Sequence, residues 1–427
     1  MKSLKLLFIA FLMHLIPVQG MVAQSWTRVG TGVTDRHLFG VSFADNNTVF
    51  AVGGNGGLSG YGVMVKSTDA GATWSTVNIG FSVLRLNTIR FTSPLVGYAA
   101  GHSMNIIKTT DGGATWTDLY PNLPQAVRTY VENANASSIA NNNPGLVQEF
   151  WDLDFSDDNN GYAVGYNGQV LKTTDGGTTW TYKPNFGTGT YRDIDVRSES
   201  LAYLALHGNN LQKSTDGGMT WANMTYPTVA AHFFSTYFIN DNTGFATGQP
   251  VAGQPGYVLK TTDGANWTNT ALGATGQIFN RVVFVSNTNG FIVGAGGKIF
   301  TTTNSGGTWS EMTSGTTNQL RNFDYSNNVR IAVGDGGAIM RLVDITTSNE
   351  NLLENKLIQI YPNPVKDVMN IKSDAEVEKL TVSDITGKVV LLSEAQQNIN
   401  MAHLSKGIYL LQVQTAEGLI EKKVMKD

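Results

Sequence analysis

Six copies of one short pattern punctuate the chain, and no single compact core of ordinary topology repeats itself in this way. The fullest copy is Thr-Thr-Asp-Gly-Gly-Ala-Thr-Trp at 109–116, with close copies at Ser67–Trp74, Thr173–Trp180 and Ser214–Trp221. A shortened copy runs from Thr261 to Trp267, and a sixth, Thr302–Trp309, carries Asn304 where the others carry Asp69, Asp111, Asp175, Asp216 and Asp263. Asp followed by Gly after Ser or Thr makes a tight turn whose carboxylate accepts backbone N–H bonds. The glycines supply positive φ, and the Trp (74, 116, 180, 221, 267 or 309) opens the next strand by burying a large ring. The spacing therefore predicts one hairpin turn built six times.

Between the boxes a second pattern recurs: an alternating strand, a short turn, a small-residue strand closed by Gly, and a strand leading into the box. It begins at Leu38, Leu86, Phe150, Tyr191, Phe233, Phe279 and Leu320. That makes seven repeats of about 45 residues, the size of a four-stranded propeller blade. The seventh repeat ends at Leu342 without a box, while Trp26-Thr-Arg-Val29 looks like a strand that follows a box but has none before it. One closure accounts for both: the N-terminal strand completes blade seven and no sheet edge is left between blades. The expected fold is all-β, a seven-bladed propeller closed by its N-terminal strand and followed by a small β-sandwich.

The boxes resemble the Asp-box, or bacterial neuraminidase repeat, of sialidases, sortilin-type receptors, some endoglucanases and photosystem II assembly factors. That resemblance implies a propeller in which the box is a folding device rather than an active site. Each carboxylate stands alone in its turn, whereas Ca²⁺ takes six to eight oxygens, so no metal is expected. The overall pattern of 26–342 is most similar to the single, seven-bladed photosystem II assembly and stability factors, which implies a non-catalytic binding platform. A sialidase would need an arginine triad, and neither Arg28 nor Arg36 has the Pro of the usual Arg-Ile-Pro motif. A xyloglucanase-type hydrolase, the alternative, would set two propellers across a cleft and need two suitably spaced carboxylates, with Asp152, Asp193 and Glu149 the acids near the ring's mouth.

The ends of the chain carry their own signals. Lys2 and Lys5 precede the apolar run Leu6–Ile16, and cleavage after Gly20 or Ala23 fits a signal peptide over 1–23. No later stretch is apolar enough to span a bilayer. All eleven arginines lie between 28 and 341, and the last 85 residues use Lys alone. After a linker at 343–355, residues 356–427 read as short alternating strands. Tyr361-Pro362-Asn363-Pro364, Asp384-Ile-Thr-Gly387, Leu404-Ser-Lys-Gly407-Ile-Tyr409 and the basic end with Lys423 closely resemble the type A C-terminal sorting domain of the type IX secretion system of Bacteroidota. The resemblance implies export across the outer membrane, with the type IX machinery as a partner and the product released or held at the surface.

Net charge is −4 and cysteine is absent, so nothing calls for nucleic acid, and an exported chain must be held by its core alone. No cofactor motif is present. The irregular Trp116–Trp180 spacing of 64 residues places a long loop at Thr117–Glu149, and the connections Gly53–Gly62 and Gly248–Gly256 are enlarged too. All three belong on the face opposite the boxes, where the inner strands begin. His37, Arg85, Trp151, Arg192, His232, Arg281 and Arg321 flank those beginnings, a set suited to an acidic or carbohydrate-like ligand, with Arg192 and Arg321 central and Trp151 stacking.

Overall fold

The computed structural model describes residues 25–55, 61–140, 148–182, 189–208, 210–343, 358–373, 377–384, 389–394, 398–415 and 418–427. The signal segment, most of the linker and the Gly387 turn fall outside them. Residues up to Val343 form one compact unit and those from Asp344 another.

The first unit contains seven four-stranded antiparallel sheets. Their inner strands are Leu38–Phe43, Leu86–Phe91, Phe150–Phe155, Thr190–Val196, Ala230–Phe238, Phe279–Phe284 and Leu320–Ser326. Each touches the next, and the seventh touches the first, so the ring is closed. Blade seven takes three strands from 320–343 and its fourth from Thr27–Val29, with Thr27 opposite Arg341 and Val29 opposite Ile339. Trp26 anchors that strand edge-on to Phe291 and Phe323, at 6.4 and 6.0 Å between centroids.

Side chains of the inner strands bind each blade to the next. Carboxylates of Asp152, Asp154 and Asp193 accept from the backbone N–H groups of Ile194, Val196 and Thr236 at 3.1, 2.8 and 2.6 Å. Across the closing seam Asp324 accepts from Phe43 N–H at 2.8 Å. A carboxylate acceptor makes a stronger hydrogen bond than a neutral one, and here it replaces water that the packed blades exclude.

Each box is a closed hydrogen-bond unit. Asp111 accepts from the Thr109 hydroxyl at 2.8 Å, from Thr115 N–H at 2.9 Å and from the Thr115 hydroxyl at 2.6 Å. Trp116 then packs edge-on to Phe50 and Phe91, joining blades one and two. Asn304 reproduces the same contacts without a charge: its Oδ1 accepts from Thr302 Oγ1 and Thr308 N–H at 2.9 Å each, and its Nδ2 donates to Thr308 Oγ1 at 2.9 Å.

The long loop expected at Thr117–Glu149 is instead built around a 16-residue helix, Gln125–Ala140. Val127 and Val131, one turn apart, are buried with Leu119, Leu123, Met104 and Phe150. Three prolines and a polar composition masked this short stripe, and Pro124, just outside the helix, is compatible with its start.

The second unit has a three-stranded sheet, Ile358–Tyr361, Val368–Ser373 and Asn398–Asn400, and a four-stranded sheet. The latter orders Val389–Glu394, Val377–Asp384, Gly407–Thr415 and Gly418–Lys426 side by side. Met369, Leu380, Val382, Leu411, Val413 and Val424 are buried between them. The Tyr-Pro-Asn-Pro segment latches the last strand: Asn363 Oδ1 accepts from Met425 N–H at 2.8 Å, and Val365 N–H donates to the Met425 carbonyl at 2.8 Å.

Candidate functional site

All seven inner strands share one irregularity. Their register with the second strand slips across a two-residue step near the strand's start, as between Leu38 and Gly40, Phe150 and Asp152, Tyr191 and Asp193, or Phe233 and Ser235, and the first residue of that step sets a common frame. In a regular strand the second and third residues point to opposite faces; a bulge re-aims one of them. Here Phe39, Trp151, Arg192, Phe234 and Arg321 (second residues of this frame) line the mouth together with Asp152, Asp193 and Arg281 (third residues). The glycine that closes the second strand permits this geometry: a Cβ on Gly53 or Gly165 would lie 1.9 or 2.1 Å from the carbonyl oxygen of His37 or Glu149.

The mouth is a belt of alternating cations and rings. Arg321 sits 4.6 Å from the Phe39 centroid and Arg85 lies 4.9 Å from the same ring. Arg85 also lies 5.6 Å from Trp151, Arg192 is 3.6 Å from Trp151, and Arg192 is 4.9 Å from Phe234. His207 and His232 continue the stack, parallel to one another at 3.6 Å and parallel to Phe234 to within about 10°. Gly208 N–H donates to His232 Nδ1 at 3.0 Å, and burial lowers the pKa of both imidazoles.

Most cations of the belt are already neutralised. Arg85 is paired with Glu149 at 2.5 Å, and Glu149 also meets His102 Nε2 at 2.9 Å. Arg321 is held by both oxygens of Asp335, which also lies 3.0 Å from His37 Nδ1. Arg281 lies a layer deeper, ion-paired to Asp193. Arg192 differs: among the described residues no carboxylate comes within hydrogen-bond reach of its guanidinium, which is half-buried between Trp151 and Phe234. Burial chiefly draws its pKa down to about 10; the charges of Arg321 and Arg85 act the same way, against the pull of Glu149.

Below the mouth the channel opens into a cavity of 490 Å³ lined by Arg90, Asp154, Asp195, Arg197, Asp324 and Tyr237, among others. Burial pushes the Asp195 carboxyl up to about 7 and holds Asp193 well above the usual carboxylate range; Arg281 pulls Asp193 back and neighbouring Asp152 adds to the rise. The sequence pattern singles out the arginines, His37, His232 and Trp151 but not Phe39, Phe234, His102, His207 and Asp335. The phenylalanines read as core because alternation alone hides the bulge; the glycine closing each second strand was the available signal.

Residues 359–427 match the secretion system C-terminal sorting domain. The tail is thus a type IX sorting domain, and the chain is exported to the cell surface or beyond. No curated protein matches the chain. Among solved structures it is similar to YCF48 bound to D1 peptide, with 17% identity over 76% of this chain and 96% of that one and a TM-score of 0.59. It is also similar to PorZ, an essential surface component of the type IX secretion system of Porphyromonas gingivalis, at 13% identity, 93% and 60% coverage and a TM-score of 0.54. A GH74 xyloglucanase from Xanthomonas campestris aligns at 12% identity over 70% of this chain and 51% of that one, with a TM-score of 0.51. At such identities the likeness shows the propeller fold alone.

Proposed function

We propose that this chain is an exported, non-catalytic binding propeller whose mouth receives a carboxylate of an extracellular protein or glycan on Arg192. The observation that carries this reading is the contrast within the belt. Arg85, Arg281 and Arg321 are matched by carboxylates of the chain itself, whereas Arg192 offers its donors between two aromatic faces. A guanidinium so placed keeps its planar fork for an incoming carboxylate while the rings exclude water. A propeller of this fold that holds a peptide, YCF48, makes an acidic peptide the first ligand class to test.

Hydrolysis is the less favoured reading. Asp152 is engaged by the Thr88 hydroxyl at 2.8 Å and by Ile194 N–H, and Asp193 by Thr236 N–H and Arg281. Carboxylates committed to blade-to-blade bonds are poorly placed to activate water. The test screens the exported protein against arrays of acidic peptides and acidic glycans, then repeats the measurement with Arg192→Ala and Arg321→Ala. Arg192→Ala is expected to weaken binding by roughly tenfold or more, as for a buried charged hydrogen bond, and Arg321→Ala by less. Unchanged affinity in folded Arg192→Ala, or turnover of sialosides or β-glucans, would refute the reading.

A further inference from the structure

The four-stranded sheet of the tail carries large apolar residues on both of its faces. Its inward residues, Leu380, Val382, Tyr409, Leu411, Val413 and Val424, are buried against the other sheet. On an ordinary sandwich the alternate, outward positions would be polar. Here Ile408 and Leu410 project outward on the Gly407–Thr415 strand, 46% and 39% exposed, and Met425 stands directly across from Ile408 at 44%. Val389 and Leu392 flank them on the far side of the small residues Ser383 and Thr381, 48% and 62% exposed. The register puts Val389, Ser383, Leu410 and Lys423 in one row and Leu392, Thr381, Gln412 and Glu421 in the next, so the apolar positions gather toward the Ile408–Met425 end and polar positions border them. Five large apolar side chains therefore share one solvent-facing surface of a domain only about 70 residues long. Large apolar side chains gathered on an exposed sheet face mark a place where another surface docks.

We propose that this face is the one by which the type IX export machinery holds the chain, through a flat, apolar surface on a machinery component. The proposal rests on the sorting role of residues 359–427 and not on the propeller's mouth. Two observations favour that occupant. The face belongs to the domain whose family role is sorting. Its apolar residues alternate with small hydroxyl residues, Ser383 and Thr381, which leave the centre shallow enough for a broad surface rather than an inserted side chain.

The test uses the full chain in its exporting cell. Val389, Leu392, Ile408 and Leu410 are changed together to Thr, which keeps strand propensity, and Leu392→Thr and Leu410→Thr are also made singly. Deletion of 359–427 is the control for the sorting role itself. Surface and medium fractions are compared with the periplasmic fraction, and circular dichroism and thermal unfolding of the purified variants check folding. The expectation is that the fourfold variant folds, is exported roughly tenfold less and accumulates in the periplasm, with each single change intermediate. Normal export of a folded fourfold variant, alongside a trapped deletion, would overturn the assignment of the face and leave the sorting role intact. Normal export of the deletion would overturn the sorting premise instead. A dimer of the purified wild type that the fourfold change dissolves would identify a second copy as the occupant and likewise overturn the proposal.

Discussion

Lys108 reaches out of blade two and donates from Nζ to the Gly176 carbonyl oxygen, in the box of blade three, at 2.6 Å. The same reach recurs around the ring: Lys66 to Gly112 at 3.2 Å, Lys172 to Gly217 at 2.8 Å, Lys260 to Ser305 at 2.6 Å, and Arg341, closing the circle, to Ala70 at 2.9 Å. Blade six has Thr301 at this place and blade seven, its neighbour, has no box to hold; the Thr301 hydroxyl bonds within its own blade, to Gly290 O at 3.1 Å. Every box but the fifth is therefore held twice, by its own Asp or Asn and by the cation of the preceding blade; Lys213, which precedes the fifth, lies over the Tyr203 ring instead. Lys108→Met, which keeps the apolar stem over Tyr98 but removes the donor, should cost about 1–2 kcal/mol, discounted for partial exposure. Thr301→Lys should give no comparable gain. Urea unfolding midpoints decide this, and a neutral Lys108→Met would remove the cation from the account of box stability.

The closing strand carries a second expectation. Trp26 is 5% exposed and is packed with Phe291, Phe323 and Met340. Trp26→Ala should destabilise the propeller by about 3–5 kcal/mol through the cavity it leaves. Because the strand belongs to a closed ring, the loss should appear as a lower midpoint of the main unfolding transition. A separate, low-temperature transition with the main one unmoved would show that the strand frays independently.

Two sets of carboxylates should oppose one another as pH changes. Asp69, Asp111 and Asp216 are held down at about 2, first by the hydroxyl and then by the N–H of Thr73, Thr115 and Thr220. Their contribution is full above the unfolded value near 4 and is lost as pH falls toward 2. Asp195 runs the other way: burial first, then Asp154, raise it to about 7, so its contribution is present below about pH 4 and is lost as pH rises through 7. Asp195→Asn, which keeps an acceptor for Phe238 N–H, should flatten the decline in melting temperature between about pH 4 and 7 while leaving the acid limb unchanged. Box six, with Asn304, is already insensitive to acid by construction. A pH profile identical to wild type would mean that Asp195 does not titrate in this window.

Among its described side chains, two valines set the helix at 125–140 into the core. Val127 and Val131 are 1% and 2% exposed. Changing both to Ala should cost about 1–3 kcal/mol and, more tellingly, open the 117–149 segment to limited proteolysis while the boxes stay protected. Unchanged cleavage would place the anchoring elsewhere, on Leu119 or Leu123.

The blades were legible in the sequence because each is stated several times over: the box Asp or Asn, its Trp and the glycine of strand two recur in register. Blade seven was legible from a deficit, a missing box at one end and a stray Trp26 strand at the other. The mouth was only half legible. Arg192 and Trp151 stood out as residue types, but the partners that decide which arginine is engaged, Asp335 and Glu149, come from a loop end and from the residue before an inner strand. Nothing local in the sequence distinguishes Arg321, which is held, from Arg192, which is not. The helix was missed because two valines one turn apart make too short a stripe to outweigh the prolines and asparagines around them.

The seam of blade seven joins the first strand of the propeller sequence to its last three. In a chain delivered N-terminus first, the piece needed last is the one that arrives first, and it must wait. Until residues 338–343 follow, Thr27–Val29 has nothing to pair with, and Trp26 lacks the Met340 and Leu342 side of its pocket. A chain that stops short of them keeps an open edge on the second strand of blade seven and an exposed tryptophan at its start, both marks that degradative proteases recognise in incomplete proteins. Closure thus acts as a check on length: the ring becomes whole, and resistant, only when the whole propeller has been delivered, just before the tail that directs its export.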